Sequence, residues 1–305
     1  MSRATAGADD DTPAGASFFR ELARPKVNLT LRVLGRRPDG YHALASLVVF
    51  ARQPADVVIL ETGAPIEVHA TGPGASAILG ENLLAATLRR LAATEPRLLL
   101  GRVTLEKHLP VAAGIGGGSA DAAALIRAVL GANPEFATSL PWLDIAKSIG
   151  ADVPVCVPGR PALMWGIGER MAPVALPSLP ALIVNPFVPV PADKTAQVFR
   201  RLGAAQLAAD PPDPPIPGPF GSIADVVAYM RQHANDLTRP AREVVPAIDD
   251  VLETIEALDG CLIARLSGGG PTCFGIFASG TAARAAATIV RARHPSWWVA
   301  ATVLE

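Results

Sequence analysis

The stretch PVAAGIGGGSADAAA, residues 110–124, is the most informative part of the chain. Four of the five residues from 114 to 118 are glycine, so we predict that a helix cannot begin before Ser119, where helix formers follow at once. Glycines let a backbone approach an anion closely, and a helix N-terminus offers free N–H groups and the positive end of its dipole. This glycine loop, residues 110–119, therefore favours a triphosphate ligand, and a flexible connection into a helix is the alternative.

Two common phosphate loops do not fit this stretch. A Walker loop needs Gly-Lys-Ser/Thr, and residues 110–124 contain no lysine. A dinucleotide-binding fingerprint needs a glycine at the sixth position, where this chain has Ser119. If the loop binds phosphate, it does so in another fold.

The elements around the glycine loop suggest a mixed α and β chain. Before the loop we predict strands at 26–34, 42–50, 56–60, 66–70 and 98–105, and a helix at 81–93. After it we predict helices at 119–130 and 140–150, then, beyond a proline-rich crossing at 171–180, a strand at 181–188. Helices at 222–237 and 242–258, strands at 262–267 and 272–278, a helix at 281–293 and a strand at 297–304 complete the chain. The order of these last elements, β-α-β-β-α-β, is that of a ferredoxin-like unit, and the proline-rich residues 208–219 are predicted to form a surface loop inside it.

Composition limits the classes of function. The chain has 305 residues, which predicts two domains, and it is 50% hydrophobic and 18% charged, which is a globular composition. Its net charge of −1 provides no basic field, so binding to nucleic acid is not indicated. We expect a disordered tail over residues 1–16 and domains over 17–172 and 173–305. Three cysteines without a C-x-x-C pair favour a reducing compartment and no metal site. No signal sequence or membrane span is expected, since the uncharged run 171–192 contains six prolines, and we therefore expect a cytoplasmic protein.

The segment LPVAAGIGGGSADAA (109–123) resembles the phosphate-binding motif of the GHMP kinases, the superfamily of galactokinase, homoserine kinase, mevalonate kinase and phosphomevalonate kinase. Three further segments agree in order and spacing, namely RPKVNLTLRVLGRRPDGYHALASLVVF (24–50), GADVPV (150–155) and LSGGGPTCFGIF (266–277). The resemblance implies an α+β fold with two domains, the first ribosomal-S5-domain-2-like and the second ferredoxin-like. It also implies an ATP-dependent and Mg²⁺-dependent kinase of a small molecule, with neither a nucleic-acid nor a membrane partner. RPDGYH favours the branch that phosphorylates the 2-hydroxyl of a cytidine-diphosphate-linked methylerythritol in isoprenoid precursor synthesis.

The resemblance also assigns roles to individual residues. The catalytic pair is Lys26 and Asp152; a solvated lysine and a turn aspartate are the alternatives. The triphosphate would contact Pro110, Val111, Ala112, Ala113, Gly114, Ile115, Gly116, Gly117, Gly118, Ser119 and Ala120. Ser119 would also bind Mg²⁺, or would simply cap the helix. Asn82 and Lys107 would lie near the adenine, with a helix cap and a solvated lysine as alternatives. The substrate would contact Asn28, Asp39, Gly40, Tyr41 and His42, with Tyr41 and His42 holding the cytosine; core packing is the alternative for those two. Phe199 is a candidate second aromatic wall.

The chain departs from the family pattern in three places. Arg24-Pro25-Lys26 stands where the family has Pro-Ala-Lys. Ser267 is followed by three glycines where the family has Ser-Gly-Ser-Gly, so one hydroxyl is lost. Ala112-Ala113 replace two glycines of the phosphate loop, so the backbone angles there are expected to suit alanine. A mevalonate-type or homoserine-type kinase is one rival hypothesis. A non-catalytic nucleotide sensor on the same fold is the other, and the retention of Lys26 and Asp152 argues against it.

Overall fold

The computed structural model describes residues 16–78 and 82–305. Nearly all of the predicted disordered tail, residues 1–15, therefore lies outside the described residues. In the described part the strands are β1 (Phe18–Ala23), β2 (Lys26–Asn28), β3 (Arg32–Arg36), β4 (His42–Phe50), β5 (Asp56–Thr62), β6 (Glu67–Thr71), β7 (Gly101–Glu106), β8 (Ala162–Gly166), β9 (Arg170–Pro173), β10 (Leu179–Asn185), β11 (Cys261–Leu266), β12 (Cys273–Phe277) and β13 (Trp298–Leu304). The helices are α1 (Leu83–Thr94), α2 (Gly117–Ala132), α3 (Trp142–Ile149), α4 (Val153–Cys156), α5 (Lys194–Leu202), α6 (Ile223–Gln232), α7 (Thr238–Val244), α8 (Ala247–Glu256) and α9 (Gly280–Arg293).

The N-terminal part contains two sheets with helix α2 packed between elements of both. The first sheet has the strand order β1-β5-β7-β6, and the second has the order β2-β4-β8-β9, with β3 also paired to β4. The buried face of α2 is built from alanines such as Ala123 and Ala124, which are fully buried and let the helix approach β1 and β5 closely. This packing fixes the N-terminus of α2, and with it the glycine loop, against the sheets.

The C-terminal part is the predicted ferredoxin-like unit. Its antiparallel sheet has the order β11-β12-β10-β13, and α8 and α9 cover one face. Apart from helices α5, α6 and α7, which lie between β10 and α8, the chain order β10-α8-β11-β12-α9-β13 confirms the β-α-β-β-α-β expectation. The side chains of β10 alternate in burial: Leu182 and Val184 pack under the helices, while Ala181 and Ile183 pack against the second sheet. The two halves therefore share a core.

The single strand predicted at 26–34 is two strands. The backbone N–H groups of Leu29 and Thr30 both donate to the carbonyl of Leu47, and the Thr30 hydroxyl accepts from the Leu47 N–H. Two residues therefore oppose one residue of β4, which is a bulge that separates β2 from β3. This bulge follows Asn28 directly and lies beside the site described below.

The helix predicted at 242–258 is also interrupted. Pro246 has no N–H to donate, and Val245 before it is extended, with φ −133° and ψ 85°, so α7 ends at Val244 and α8 begins at Ala247. The helix predicted at 222–237 ends at Gln232. Strands β1, β8 and β9 and helices α4 and α5 were not predicted.

Residues 208–219 contain neither a helix nor a strand, which confirms the predicted loop. The domain boundary at residue 172 stays a prediction; it falls inside β9, the last strand of the second sheet. In the described part of the chain no helix is both long and apolar enough to cross a bilayer.

Candidate active site

Two glycines of the glycine loop adopt left-handed backbone angles. Gly114 has φ +79° and Gly116 has φ +63°. A Cβ on Gly114 would lie 2.6 Å from the carbonyl oxygen of Gly270, so glycine is required there for space as well as for conformation. The Gly268–Gly270 turn of the C-terminal part therefore packs directly on the loop.

The structure corrects two expectations about this loop. Ala112 has φ +54°, so its angles do not suit alanine as expected, and they carry strain of about 1–2 kcal/mol. Helix α2 begins at Gly117, two residues earlier than predicted, because Gly117 and Gly118 adopt helical angles. Ser119 is therefore the third residue of α2, and Gly116 rather than Ser119 occupies the N-cap.

The carbonyl groups of four consecutive loop residues, 112–115, accept hydrogen bonds from outside the loop. The donors, in order, are Lys194 Nζ at 3.3 Å, Thr272 N at 3.1 Å, Ser267 Oγ at 3.1 Å and Lys26 N at 2.9 Å. Within the described residues, the N–H groups of residues 111–119 donate no hydrogen bonds. Because the C=O and N–H of a trans peptide point in opposite directions, a loop held by its carbonyls turns its N–H groups the other way. Such a row of free N–H groups at a helix N-terminus suits an anion.

Two cavities meet at the glycine loop. The smaller, about 370 Å³, is lined by the loop together with Asn82, Lys107 and Asp121. The larger, about 1120 Å³, is lined by residues of both halves of the chain, among them Lys26, Asn28, Gly40, Tyr41, His42, Asp152 and Phe199. Both cavities include Gly114, Gly116 and Ser119 in their walls. A group bound in one cavity can thus meet a group bound in the other at this point of the loop.

The predicted catalytic pair lies beside that junction. Lys26 Nζ is 2.9 Å from Asp152 Oδ2, and the Lys26 side chain is 5% exposed while that of Asp152 is 35% exposed. Lys26 is therefore not a solvated lysine, and Asp152 presents its carboxylate to the larger cavity. A Cβ on Gly116 would lie 3.3 Å from Lys26 Cε, which shows how closely the loop packs on the lysine.

Asn28 is placed at the wall of the larger cavity, but its side-chain amide is engaged with protein. Its Oδ1 accepts from Lys26 Nζ at 3.1 Å, and its Nδ2 donates to Ser46 Oγ at 2.7 Å. The Ser46 hydroxyl donates in turn to the carbonyl of Thr30 at 2.6 Å. This chain of hydrogen bonds fixes the direction of the Lys26 ammonium group, a role that sequence reasoning did not assign to Asn28.

The aromatic residues form one wall of the larger cavity. The His42 ring stacks on Phe199, with centroids 4.5 Å apart and planes 25° apart, and burial lowers the pKa of His42, as does the nearby charge of Arg36. Tyr41 lines the same cavity and is 60% exposed, so core packing does not describe it. A planar ring entering here has aromatic faces available from two elements, β4 and α5.

Asp39 and Gly40 differ in their placement. Gly40 lines the larger cavity and has φ +88°. The Asp39 carboxylate accepts from Arg37 Nε at 3.0 Å and from Tyr41 N at 3.1 Å, so it shapes the turn that presents Tyr41. A direct contact between Asp39 and a substrate stays a prediction.

On the nucleotide side, the structure shows a buried ionic cluster. Lys107 Nζ lies 2.5 Å from Asp56 Oδ2 and 2.7 Å from Asp121 Oδ2, and all three side chains are at most 4% exposed. Burial raises the pKa of Asp121 to about 7, against the opposing effect of Lys107. The solvated alternative for Lys107 is therefore wrong. Asn82 does cap α1, since its Oδ1 accepts from Leu84 N at 3.0 Å, and it also lines the cavity.

Sequence reasoning missed Asp56, Asp121, Lys194, Ser267 and Thr272. An aspartate between alanines in SADAA is one available signal for Asp121, because it interrupts an otherwise apolar helix face. Ser267 and Thr272 lie in the quoted segment LSGGGPTCFGIF, but their contacts with the glycine loop depend on how the two halves pack. Nothing in the sequence around Lys194 indicates burial.

Comparison with known proteins agrees with this fold and geometry. Residues 70–160 match the model described as GHMP kinases N terminal domain, and residues 220–296 match the model described as GHMP kinases C terminal. The two-domain fold and the glycine loop thus define a GHMP kinase. A solved mevalonate kinase from L. major, at a TM-score of 0.67 and 15% identity over 95% of this chain and 97% of that chain, shares the fold.

More similar proteins narrow the class. The 4-diphosphocytidyl-2-C-methyl-D-erythritol kinase of Rhodopseudomonas palustris is 46% identical over 302 residues, which cover 96% of this chain and 100% of the relative. A solved 4-(cytidine 5'-diphospho)-2C-methyl-D-erythritol kinase superposes with a TM-score of 0.71 at 32% identity, over 93% of this chain and 98% of that chain. The chain belongs to the 4-diphosphocytidyl-2-C-methyl-D-erythritol kinase family.

Proposed function

We propose that this chain transfers the γ-phosphoryl group of ATP to the 2-hydroxyl of 4-diphosphocytidyl-2-C-methyl-D-erythritol, giving the 2-phosphate and ADP in the non-mevalonate route to isoprenoid precursors. The observation that carries the proposal is the position of the Lys26–Asp152 pair, in the larger cavity and beside the junction with the smaller one. Family membership supports the identity of the acceptor. A small-molecule partner and a cytoplasmic location agree with this activity.

The pair provides what phosphoryl transfer needs. The half-buried Asp152 carboxylate can orient the acceptor hydroxyl and accept its proton, while the Lys26 ammonium counters negative charge on the transferring group. Because the transition state is loose, correct placement of the hydroxyl contributes more than the strength of the base. Asn28 serves this placement by accepting a hydrogen bond from Lys26 Nζ at 3.1 Å.

The phosphates of ATP are assigned to the glycine loop. The free N–H groups of residues 111–119 would donate to phosphate oxygens, with Asn82 further along the smaller cavity toward the adenine. Lys107 lies nearer the phosphates than the resemblance implies, because its Nζ is 3.4 Å from the would-be Cβ of Gly117 and 2.7 Å from Asp121 Oδ2. A terminal phosphate bound beside Gly114, Gly116 and Ser119, which line both cavities, would face the acceptor in the larger cavity.

The donor set fits Mg²⁺, which prefers oxygen ligands and takes few of them from protein when phosphates are present. The described residues contain no cluster of three or more His, Cys, Asp or Glu able to hold a metal ion. Ser119 lines both cavities, and Asp121 Oδ1 is a buried carboxylate oxygen without a hydrogen-bond partner in the wall of the smaller cavity. These two side chains would hold the ion, and when bound it would neutralise charge on the phosphate oxygens.

The cytosine of the substrate would lie against the aromatic wall of the larger cavity. An unpaired base is held by stacking on aromatic faces and by hydrogen bonds to its edge. Tyr41 and Phe199 supply faces, and His42 supplies ring nitrogens beside them. Mevalonate and homoserine contain no ring to occupy this wall, which favours the cytidyl acceptor over those rivals.

An assay of ADP release tests the proposal. Purified protein with Mg-ATP is offered the cytidyl substrate, mevalonate or homoserine in separate reactions, with ADP detected by a coupled enzyme. Of the three acceptors, we expect only the cytidyl substrate to cause ADP release. Release with mevalonate or homoserine instead would identify another GHMP kinase activity, and ATP binding without release for any acceptor would favour the sensor.

A further inference from the structure

We propose that Lys194 is a positioning residue for the nucleotide, whose ammonium group holds the Ala112 carbonyl so that the next N–H, that of Ala113, faces the phosphates. This inference rests on the proposed use of ATP at the glycine loop. It assigns a role to a lysine that belongs to neither motif of the catalytic pair and that lines neither cavity.

Lys194 is in an unfavourable place for a charged side chain. It is 5% exposed, and it is the first residue of α5, where the positive end of the helix dipole disfavours a cation. Burial lowers the pKa of Lys194 to about 8. Among the described residues no carboxylate forms an ion pair with it; Asp193 beside it pairs with Arg200 instead, at 3.0 Å. A buried cation without a counter-ion costs stability unless its hydrogen bonds compensate, so the groups that accept from this ammonium decide what the lysine does.

The ammonium group is satisfied by two backbone carbonyls. Lys194 Nζ donates to the carbonyl of Ala112 at 3.3 Å and to that of Gly270. The first belongs to the glycine loop, and the second belongs to the turn that packs on Gly114. The lysine therefore joins the loop and the turn at the point where they touch.

The bond to Ala112 determines the direction of one peptide plane. The Ala112 C=O and the Ala113 N–H belong to the same trans peptide, so holding the carbonyl toward Lys194 directs the N–H to the opposite side. Ala113 lines the smaller cavity, and its N–H has no hydrogen-bond acceptor within the described residues. Ala112 is strained at φ +54°, so this peptide has an energetic reason to rotate when the lysine is removed.

The other three donors to the loop carbonyls are less suitable for a test. Thr272 and Lys26 donate through backbone N–H groups, which a substitution does not remove. Ser267 Oγ also accepts from Asn28 N at 3.3 Å, so its loss would disturb the residue that holds the catalytic lysine. Lys194 is the donor that can be deleted without touching the Lys26–Asp152 pair.

The test compares ligand binding by Lys194→Met, Lys194→Arg and Lys147→Met. Methionine keeps the length and apolar stem but cannot donate, arginine keeps a charged donor, and Lys147 is an exposed lysine of α3 that serves as a control. Calorimetric titration with a non-hydrolysable ATP analogue and Mg²⁺ should show about 10- to 100-fold weaker binding for Lys194→Met. The variant loses the charged hydrogen bond to the Ala112 carbonyl, so the Ala113 N–H is no longer held toward the phosphates. Lys194→Arg should recover most of this loss, Lys147→Met should bind as the unaltered chain does, and affinity for the cytidyl substrate should be nearly unchanged in all three.

Unaltered affinity of Lys194→Met for the ATP analogue would overturn the inference. So would a parallel loss for both ligands together with a lower melting temperature, because that pattern marks a structural residue. If Lys194→Met does not fold, Lys194→Gln, whose shorter neutral side chain cannot reach both carbonyls, takes its place against Lys194→Arg. Failure of the unaltered chain to bind the ATP analogue would instead refute the proposed function.

Discussion

Gly116→Ala tests whether the glycine loop sets the position of the catalytic lysine. The new Cβ would lie 3.3 Å from Lys26 Cε and 4.0 Å from Asp152 Oδ2, so Lys26 must move by a few tenths of an ångström. The left-handed φ of +63° adds about 1–2 kcal/mol of strain for alanine. Because small displacements of reacting groups reduce turnover steeply, we expect kcat to fall about 10- to 100-fold.

Gly63→Ala is the matched control for this substitution. Gly63 also has a left-handed φ, +82°, and no atom lies within 4 Å of its would-be Cβ. The two variants should lose similar stability, with a fall in melting temperature of about 2–4 °C for each kcal/mol. Steady-state kinetics at saturating ATP and acceptor, with calorimetric scans of both variants, measure the two effects separately. A Gly116→Ala protein that turns over as fast as the unaltered chain would refute the packing argument.

Three further substitutions probe the two cavities. Tyr41→Ala removes a stacking face worth about 1–3 kcal/mol, so the KM for the cytidyl substrate should rise about 10- to 100-fold while the KM for ATP hardly moves; a lower melting temperature with an unchanged cytidyl KM would oppose stacking. Gly117→Val places a branched side chain beside the free N–H groups and should weaken ATP far more than the acceptor in calorimetric titrations, whereas equal losses would indicate unfolding. Asp121→Asn removes a carboxyl whose pKa is raised to about 7 by burial. Between about pH 4 and about pH 7 the folded wild-type chain binds the extra proton, so its stability should fall relative to the variant as pH rises, and melting temperatures that stay parallel would contradict this.

The elements that could be predicted from sequence are those determined by local residue patterns. The alternating and helical periodicities of residues 181–304 gave the ferredoxin-like order, and the glycines of residues 114–118 located the start of α2 to within two residues. The bulge at Leu29 and Thr30 could not be predicted, because it depends on a hydrogen bond to Leu47 in another strand. Pro246, by contrast, was a visible signal for the end of α7.

The candidate site shows the same division. Lys26 and Asp152 were expected as a pair because both stand in family motifs, and the structure brings their charged atoms to 2.9 Å. Their catalytic roles stay predictions. Asp56 and Lys194 were missed because nothing in the sequence around them indicates burial, which arises only from tertiary packing, whereas Asp121 had a signal in its apolar neighbours that was not used.

The decisive measurement is the turnover of Asp152→Asn. Asparagine keeps the shape of the side chain but removes the carboxylate that would orient the hydroxyl and accept its proton, while Asn28 still holds Lys26 Nζ at 3.1 Å. We expect kcat with the cytidyl substrate to fall by about 10²-fold or more, with affinity for an ATP analogue nearly unchanged. Turnover equal to that of the unaltered chain would contradict the assignment of the Lys26–Asp152 pair as the catalytic centre.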